Sequence, residues 1–272
     1  LNKHIKNWLD KQEVACFELE FRAVFEIQKR THAAGDRFGE PHFCAKSQKI
    51  LDIGCGPGNS TEVLRRKYPD AYILGVDKSE EMIKTAKEKY PNLDFQICDA
   101  GAELSKLDHD FDIVFSNACI QWVPNHPQLL REMLGLLNEN GVLAVQIPMN
   151  FSEPIHQSIE ELASSEKWKR YFAQTRPFHT LRPGEYYDLL SEMAKDVCIW
   201  ETVYYHVLSS QSDILEWYRG TGLLPYLSAL PESEKAAFEN DLLNLLIQRY
   251  PKRKNGVIFK FPRFFFLAYP KA

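Results

Sequence analysis

The chain has 272 residues with 33 basic and 37 acidic side chains, a net charge of −4. Hydrophobic residues make up 44% and charged residues 26%, the balance of a globular protein with a sizeable core, enough for one large domain or one domain plus a cap. No basic excess is present to hold a phosphate backbone, and no apolar run approaches the roughly 20 residues of a membrane span, so nucleic acid and membrane are both poor partners.

Residues 1–48 are mixed and charged, with helical stretches such as "FELEFRAVFEIQKRTH", and read as a helical segment or lid. The opening "LNKHIKNWLDKQEV" lacks the apolar core of a secretion signal, which points to the cytoplasm. It begins at Leu1 rather than Met, as a chain that has lost its start would. "HFC" offers His42 and Cys44 as metal-ligand types, but nothing nearby completes a set of four, and no metal is expected. Cys16, Cys44, Cys55, Cys98, Cys119 and Cys198 are scattered without a C-x-x-C pair, the pattern of free thiols in a reducing compartment.

From residue 49 short β-branched runs alternate with helical segments: "KILDI" then "STEVLRRKY", "YILGVD" then "SEEMIKTAKEKY", "LDFQICD", "FDIVFSN" then "HPQLLREMLGLLNENG", and "VLAVQIP". Such alternation predicts βαβ units and a parallel sheet. The third helix carries a stripe of Leu129, Leu130, Met133, Leu136 and Leu137 and is expected to close at Asn140-Gly141. Ser79 is the expected cap of the second, with Glu80 and Glu81 in its first turn. After residue 150 helices broken by Pro and Gly take over, then the strand-like "VCIWETVYYHVL", further helices, and a last strand, "GVIFKFPRFFFLAY". The expected architecture is α/β: one open, mostly parallel sheet, with helical insertions before its last two strands roofing the ligand edge.

An open parallel sheet binds ligands beyond the carboxyl ends of its strands, where strand order reverses. There the chain reads "ILDIGCGPGNSTEVL", with Gly54, Gly56 and Gly58 spaced G-x-G-x-G. Dinucleotide folds use the longer G-x-G-x-x-G and rest a pyrophosphate on the next helix. The shorter spacing resembles that of Rossmann-like S-adenosylmethionine methyltransferases, whose ligand has no phosphate. Asp52 can bind its cationic methionine end, directly or through water. Asp77, about 20 residues past the last glycine, is placed to take both ribose hydroxyls, with Lys78 beside it. Asp99 ends the next strand and can accept from the adenine amine while the Ala100 backbone reads the ring; Met82 can cover it. Asn117 and Trp122, after the fourth strand, are assigned to the far end of the methyl donor.

Beyond these motifs the chain resembles the trans-aconitate 2-methyltransferase family from about residue 49 to its end, through "NACIQWVPNH", "GVLAVQIPMNFSEPIH", "YYDLLSE", "IWETVYYH", "TGLLPYL", "ESEKAAF" and "FPRFFFLA". The resemblance implies a seven-stranded Rossmann-like methyltransferase fold with helical insertions after strands 5 and 6 capping the active site. A cofactor core over 49–149 would be followed by cap insertions and the last two strands over 150–272. It also implies methyl transfer to a carboxylate of a small polyacid. A carboxylate with a reference pKa near 4 is already ionised, so no catalytic acid or base is needed and proximity should suffice.

The acceptor instead needs donors, cations and aromatic walls. Gln121 is one candidate. Tyr204, Tyr205 and His206 end a strand-like run in which alternate side chains face opposite ways, so either Tyr204 and His206 or Tyr205 alone face the acceptor. Arg263 is a cation in a very apolar strand, costly to bury without an anion, whether a substrate carboxylate or an internal acid. Trp217 and Arg219 are further candidates, against the plainer readings of a core Trp and an exposed helical Arg. Arg176 and His179 lie in a Pro-flanked loop that is either a lid or solvated.

Two departures stand out. Where the family reads "TGLRPWL", Leu224 replaces an arginine and Tyr226 a tryptophan; Arg219 is the available compensation. The family's N-terminal Tyr segment has no match in residues 1–48. A rival reading is the malonyl-carrier-protein O-methyltransferases, which share the "SNxxxQW" element and would dock an acidic carrier on Lys169, Arg170, Arg176 and Arg182. A non-catalytic cofactor-binding module would show a broken glycine loop or a lost Asp77 or Asp99, and all are intact. A nicotinamide oxidoreductase needs the longer glycine spacing. Oligomeric state is not legible.

Overall fold

A computed structural model describes residues 49–172 and 178–271; the segment 1–48 with Cys16, His42 and Cys44, and Arg176, lie outside the described residues. Seven strands, β1 (Lys49–Ile53), β2 (Tyr72–Asp77), β3 (Asp94–Ile97), β4 (Phe111–Asn117), β5 (Leu137–Pro148), β6 (Ala194–Leu208) and β7 (Val257–Pro270), form one sheet in the order β3-β2-β1-β4-β5-β7-β6. Pairing is parallel for β2 with β3, β1 with β2, β1 with β4 and β4 with β5. Strand order reverses between β1 and β4, so the ligand edge belongs to their carboxyl ends.

Helices α1 (Asn59–Lys67), α2 (Glu80–Lys89) and α3 (His126–Gly135) follow β1, β2 and β4. Ser79 caps α2 by accepting the Met82 N–H at 3.3 Å. Helix α3 ends earlier than its sequence pattern suggests. The five apolar stripe residues are all buried, yet Leu137 already pairs with Phe111, and the next matched pair is Val142 with Ile113. Residues 138–141 bulge opposite Asp112, where Asn138 Nδ2 donates to its Oδ1 at 2.8 Å. Gly141 therefore serves close packing: a Cβ there would lie 2.8 Å from the Phe111 carbonyl oxygen.

The insertion after β5 contains α4 (Pro154–Ser164) and α5 (Pro183–Met193); the one after β6 contains α6 (Gln211–Arg219), α7 (Leu224–Ala229) and α8 (Glu232–Arg249). The chain divides into two compact units that interleave in sequence. The first comprises residues up to Ile147, His179–Ile199 and the chain from Phe265; the second comprises Pro148–Phe178 and Trp200–Phe264. The chain passes between the units at 147/148, 178/179, 199/200 and 264/265. In the first unit Ile50, Leu51, Ile53, Phe111 and Val114 form the sheet core. In the second, the Trp168, Phe172 and Phe238 rings pack edge to face at 5.2 Å.

The strand register decides which polar residues share a face. Asp52 pairs with Gly75 and Phe115, Phe115 with Ala144, and Asn117 with Gln146. Because side chains alternate and parallel partners point the same way, Asp52, Asp77, Asn117 and Gln146 all project from one face of the sheet.

Candidate cofactor and acceptor sites

In the first unit the three glycines have left-handed backbones with different causes. At Gly54 (φ +76°) a Cβ would sit 2.2 Å from Cys119 Sγ, and at Gly58 (φ +85°) it would press on Phe95, Tyr90 and Ala86. Those two are demanded by packing. Of the three, Gly56 (φ +52°) alone is a place where a Cβ would meet nothing within 4 Å among the described residues, so it presents bare backbone there. The Val76 carbonyl accepts the Gly54 and Cys55 N–H groups, at 2.8 and 3.0 Å, and ties the loop to the end of β2.

Asp77, half-buried, accepts the Gly56 N–H on Oδ2 at 3.0 Å and the Ser79 N–H on Oδ1 at 2.9 Å. Asp52 is fully buried, and Ser60 and Thr61 hydroxyls both donate to its Oδ2 at 2.6 Å, so it anchors the first turn of α1 to the sheet. Burial pushes its carboxyl up to about 6, against those hydroxyls and helped by the charge of Asp77. Asp52 Oδ1 has no hydrogen-bond partner among the described residues. Asp99 Oδ1 accepts the Gly101 N–H at 2.9 Å, and Ala100 beside it is buried. Lys78 is exposed, while Met82 and Trp122 are partly buried.

After β4 the chain turns through Ala118 (φ +50°) into a short 3-10 turn, Ile120–Trp122. Gln121 is buried and donates from Nε2 to the Ala118 carbonyl at 2.6 Å. His126 braces this turn: Nε2 lies 2.9 Å from the Ile120 carbonyl, and the Tyr186 hydroxyl lies 2.6 Å from Nδ1. A proton on Nε2 lets the ring donate to the carbonyl and accept from Tyr186. Burial lowers its pKa, consistent with that neutral form. His179 belongs to this unit, its N–H donating to the Gln121 carbonyl at 2.9 Å.

In the second unit β6 alternates as strands must. Tyr204 and His206 share one side, with His206 buried, while Tyr205 is 64% exposed on the other and does not join them. The Arg263 guanidinium is buried 5.0 Å from the Phe261 ring and 5.9 Å from the Tyr204 ring. Trp217 is buried against His206 at 4.8 Å and stacks on Phe261 at 5.8 Å. Burial first, and the Arg263 charge second, lower the His206 pKa to about 4, so the ring is neutral; its Nε2 has no hydrogen-bond partner among the described residues.

Arg219 stands apart from this cluster. It is held by Glu239, Nε to Oε1 at 2.6 Å, and by Glu216. Leu224 is 53% exposed at the start of α7, and Tyr226 packs edge-on to Phe172 at 5.3 Å. Of the basic stretch, Lys169 pairs with Glu166 at 2.6 Å, and Arg182 stands at the start of α5.

Three features escape the sequence motifs. They are the His126–Tyr186 brace, a buried chain in which Asn150 Nδ2 donates to the Tyr218 hydroxyl at 2.6 Å with His156 Nε2 at 3.1 Å, and Gln146. The first two arise from long-range packing and leave no local signal. Gln146, a polar residue inside the buried strand "VLAVQIP", was visible as an anomaly.

Residues 45–215 match the methyltransferase domain family. The trans-aconitate 2-methyltransferase of Variovorax paradoxus (strain S110) is 37% identical over 230 residues, covering 84% of this chain and 88% of its own. That of Enterobacter sp. (strain 638) is 41% identical over 221 residues, 80% of this chain and 85% of its own. Among solved structures, the YcgJ protein of Bacillus subtilis shares the fold, with 16% identity and a TM-score of 0.54 over 85% of this chain and 94% of that one.

Proposed function

Because the chain belongs to the trans-aconitate 2-methyltransferase family, with a Rossmann-like methyltransferase fold and S-adenosylmethionine as its cofactor, we propose that it esterifies one carboxylate of a small polycarboxylic acid such as trans-aconitate. The residues fit that cofactor: Gly56 presents bare backbone, and carboxylates or amides stand at the ends of β1 to β4 on the same edge. Asp77 would hold the ribose, Asp99 and Ala100 the adenine with Met82 over it, and Asn117 and Trp122 the methionine end. Lys78, exposed beside Asp77, is at most a peripheral contact.

When bound, S-adenosylmethionine would supply an activated methyl on a positive sulfur, which an ionised carboxylate oxygen could take to give a methyl ester and a neutral thioether. No proton moves, which agrees with a chain that needs no general base. What its residues contribute is orientation and exclusion of water.

The observation that carries the acceptor reading is the buried Arg263 among Tyr204, Phe261 and a neutral His206. A guanidinium walled by rings and neighboured by a hydrogen-bonding imidazole suits a carboxylate of the acceptor. Trp217 forms part of its wall. Gln121 belongs to the first unit, where it is offered to the reacting group. A cytoplasmic location fits the free thiols Cys55, Cys98, Cys119 and Cys198.

The test is transfer from methyl-labelled cofactor to a panel of polycarboxylic acids at saturating cofactor. Base-labile label on trans-aconitate is the expected result. Cofactor binding with no acid labelled overturns the small-polyacid reading.

A further inference from the structure

Gln146 lies on β5 with 3% of its surface exposed, and neither its Nε2 nor its Oε1 has a hydrogen-bond partner among the described residues. Leaving both ends of a buried amide unsatisfied is costly, because each group gives up its hydrogen bonds to water without replacement. Two neighbours share the condition: Asn117 Oδ1 and Gln121 Oε1 are buried and likewise without partners among the described residues. Asn117 and Gln146 are register partners on β4 and β5, the Ala118 N–H donates to the Gln146 backbone carbonyl at 3.0 Å, and the Ala118 carbonyl accepts Gln121 Nε2 at 2.6 Å.

The position along the sheet edge separates cofactor from acceptor. In the order β3, β2, β1, β4, the groups Asp99, Asp77, the glycine loop and Asn117 would, on the assignments proposed above, follow the cofactor from adenine to methionine end. Parallel strands lie about 4.8 Å apart, so β5 is roughly 10 Å beyond β1, past that end. Resting on the carboxylate reading above, we propose that Gln146 binds the reacting carboxylate of the acceptor, donating from Nε2 to the oxygen that is not methylated.

The residue type suits the task. A cation here would draw charge from the attacking oxygen, whereas a neutral amide orients the group and leaves its charge largely in place. Gln146 thereby contributes to acceptor orientation, and cofactor affinity should not depend on it.

The experiment compares Gln146→Met, Gln146→Asn and Gln146→Glu with the wild type, using trans-aconitate kinetics at saturating S-adenosylmethionine and calorimetric binding of S-adenosylhomocysteine. Removing the donor in Gln146→Met should cut kcat/KM for the acid roughly 100-fold. Gln146→Asn, with the amide withdrawn by one methylene, should fall between. Gln146→Glu, with like charge against the carboxylate, should raise KM most. S-adenosylhomocysteine affinity should stay within about twofold throughout. Thermal melting identifies a variant that misfolds, and the polar Asn and Glu variants then carry the comparison. Acceptor kinetics unchanged in folded variants, or cofactor affinity lost instead, overturns the assignment while the carboxylate reading stands. A wild type that binds S-adenosylhomocysteine yet methylates no acid removes both.

Discussion

The Asp77 carboxylate accepts the backbone N–H of Gly56 at 3.0 Å. One side chain at the end of β2 thus shapes the glycine loop while standing where ribose hydroxyls are proposed to bind. Its other oxygen accepts the Ser79 N–H at the cap of α2. Asp77→Ala should lose loop support and ligand contact together. The expected loss is about 1.5–3 kcal/mol of S-adenosylhomocysteine affinity, roughly 10- to 150-fold in Kd, read by calorimetry.

Gly54→Ala and Gly56→Ala should separate stability from binding. At Gly54 the new methyl meets Cys119, and the left-handed backbone adds strain, so about 3 kcal/mol and a Tm drop of roughly 5–10 °C are expected. Cys119→Gly in the same chain should recover part of it. At Gly56 only the strain applies among the described residues, about 1 kcal/mol, while cofactor Kd should rise if the cofactor lies against this backbone as proposed. Melting and calorimetry on both variants check the contrast.

Arg263→Ala should raise the KM for trans-aconitate by about 10-fold or more, with cofactor affinity unchanged, since a charge-assisted hydrogen bond is worth about 1.5–3 kcal/mol. Arg219→Met offers the opposite pattern. Its ion pairs with Glu216 and Glu239 are partly exposed, so stability should fall by about 1 kcal/mol or less, with KM unaffected. Steady-state kinetics beside denaturant melts distinguish the two.

Leu224→Arg tests the departure in "TGLLPYL". The side chain is 53% exposed, so a longer charged residue is accommodated without loss of core. The variant should improve kcat/KM for a tricarboxylate relative to a dicarboxylate by several-fold, measured with the two acids in competition.

Stability should fall on acidification below neutrality. His156 and His206 are held near pKa 4 in the folded chain, by burial in both and by Arg263 in the second, against about 6.5 when unfolded. The unfolded chain therefore binds more protons between those values, and both histidines cost stability as pH falls from about 6.5 to 4. Asp52, raised to about 6 by burial, works in the opposite sense and returns stability as pH falls through 6 toward its unfolded value. From pH 7 to 5 the histidines remove about 4 kcal/mol and Asp52 restores between about 1 and 2, a net loss of about 2–3 kcal/mol. Urea melts at the two pH values should show it, and His156→Gln should reduce the slope.

The sheet and the cofactor edge were legible because their signals are local: β-branched runs, a capped helix at Ser79, carboxylates at successive strand ends. The glycine spacing was legible too, though not its division of labour. That two of the three glycines answer to Cys119 and to Phe95, Tyr90 and Ala86 depends on contacts across the fold. The end of α3 was misjudged because the apolar stripe continues unbroken into β5, and burial of Leu136 and Leu137 suits either element. At Tyr204, Tyr205 and His206 the alternation was certain but its phase was not; β7 and α6 decide it, placing His206 against Trp217 and Phe261. Arg219 kept two readings until Glu239, 20 residues later, closed on it.

The interleaving of the two units bears on how such a chain can diversify. The second unit is assembled from two separated stretches, and the first from three. No single recombination breakpoint exchanges one unit for another and leaves its counterpart whole. Exchanging either unit whole thus takes more than one breakpoint, whereas a substitution such as one at Leu224 leaves both units in place.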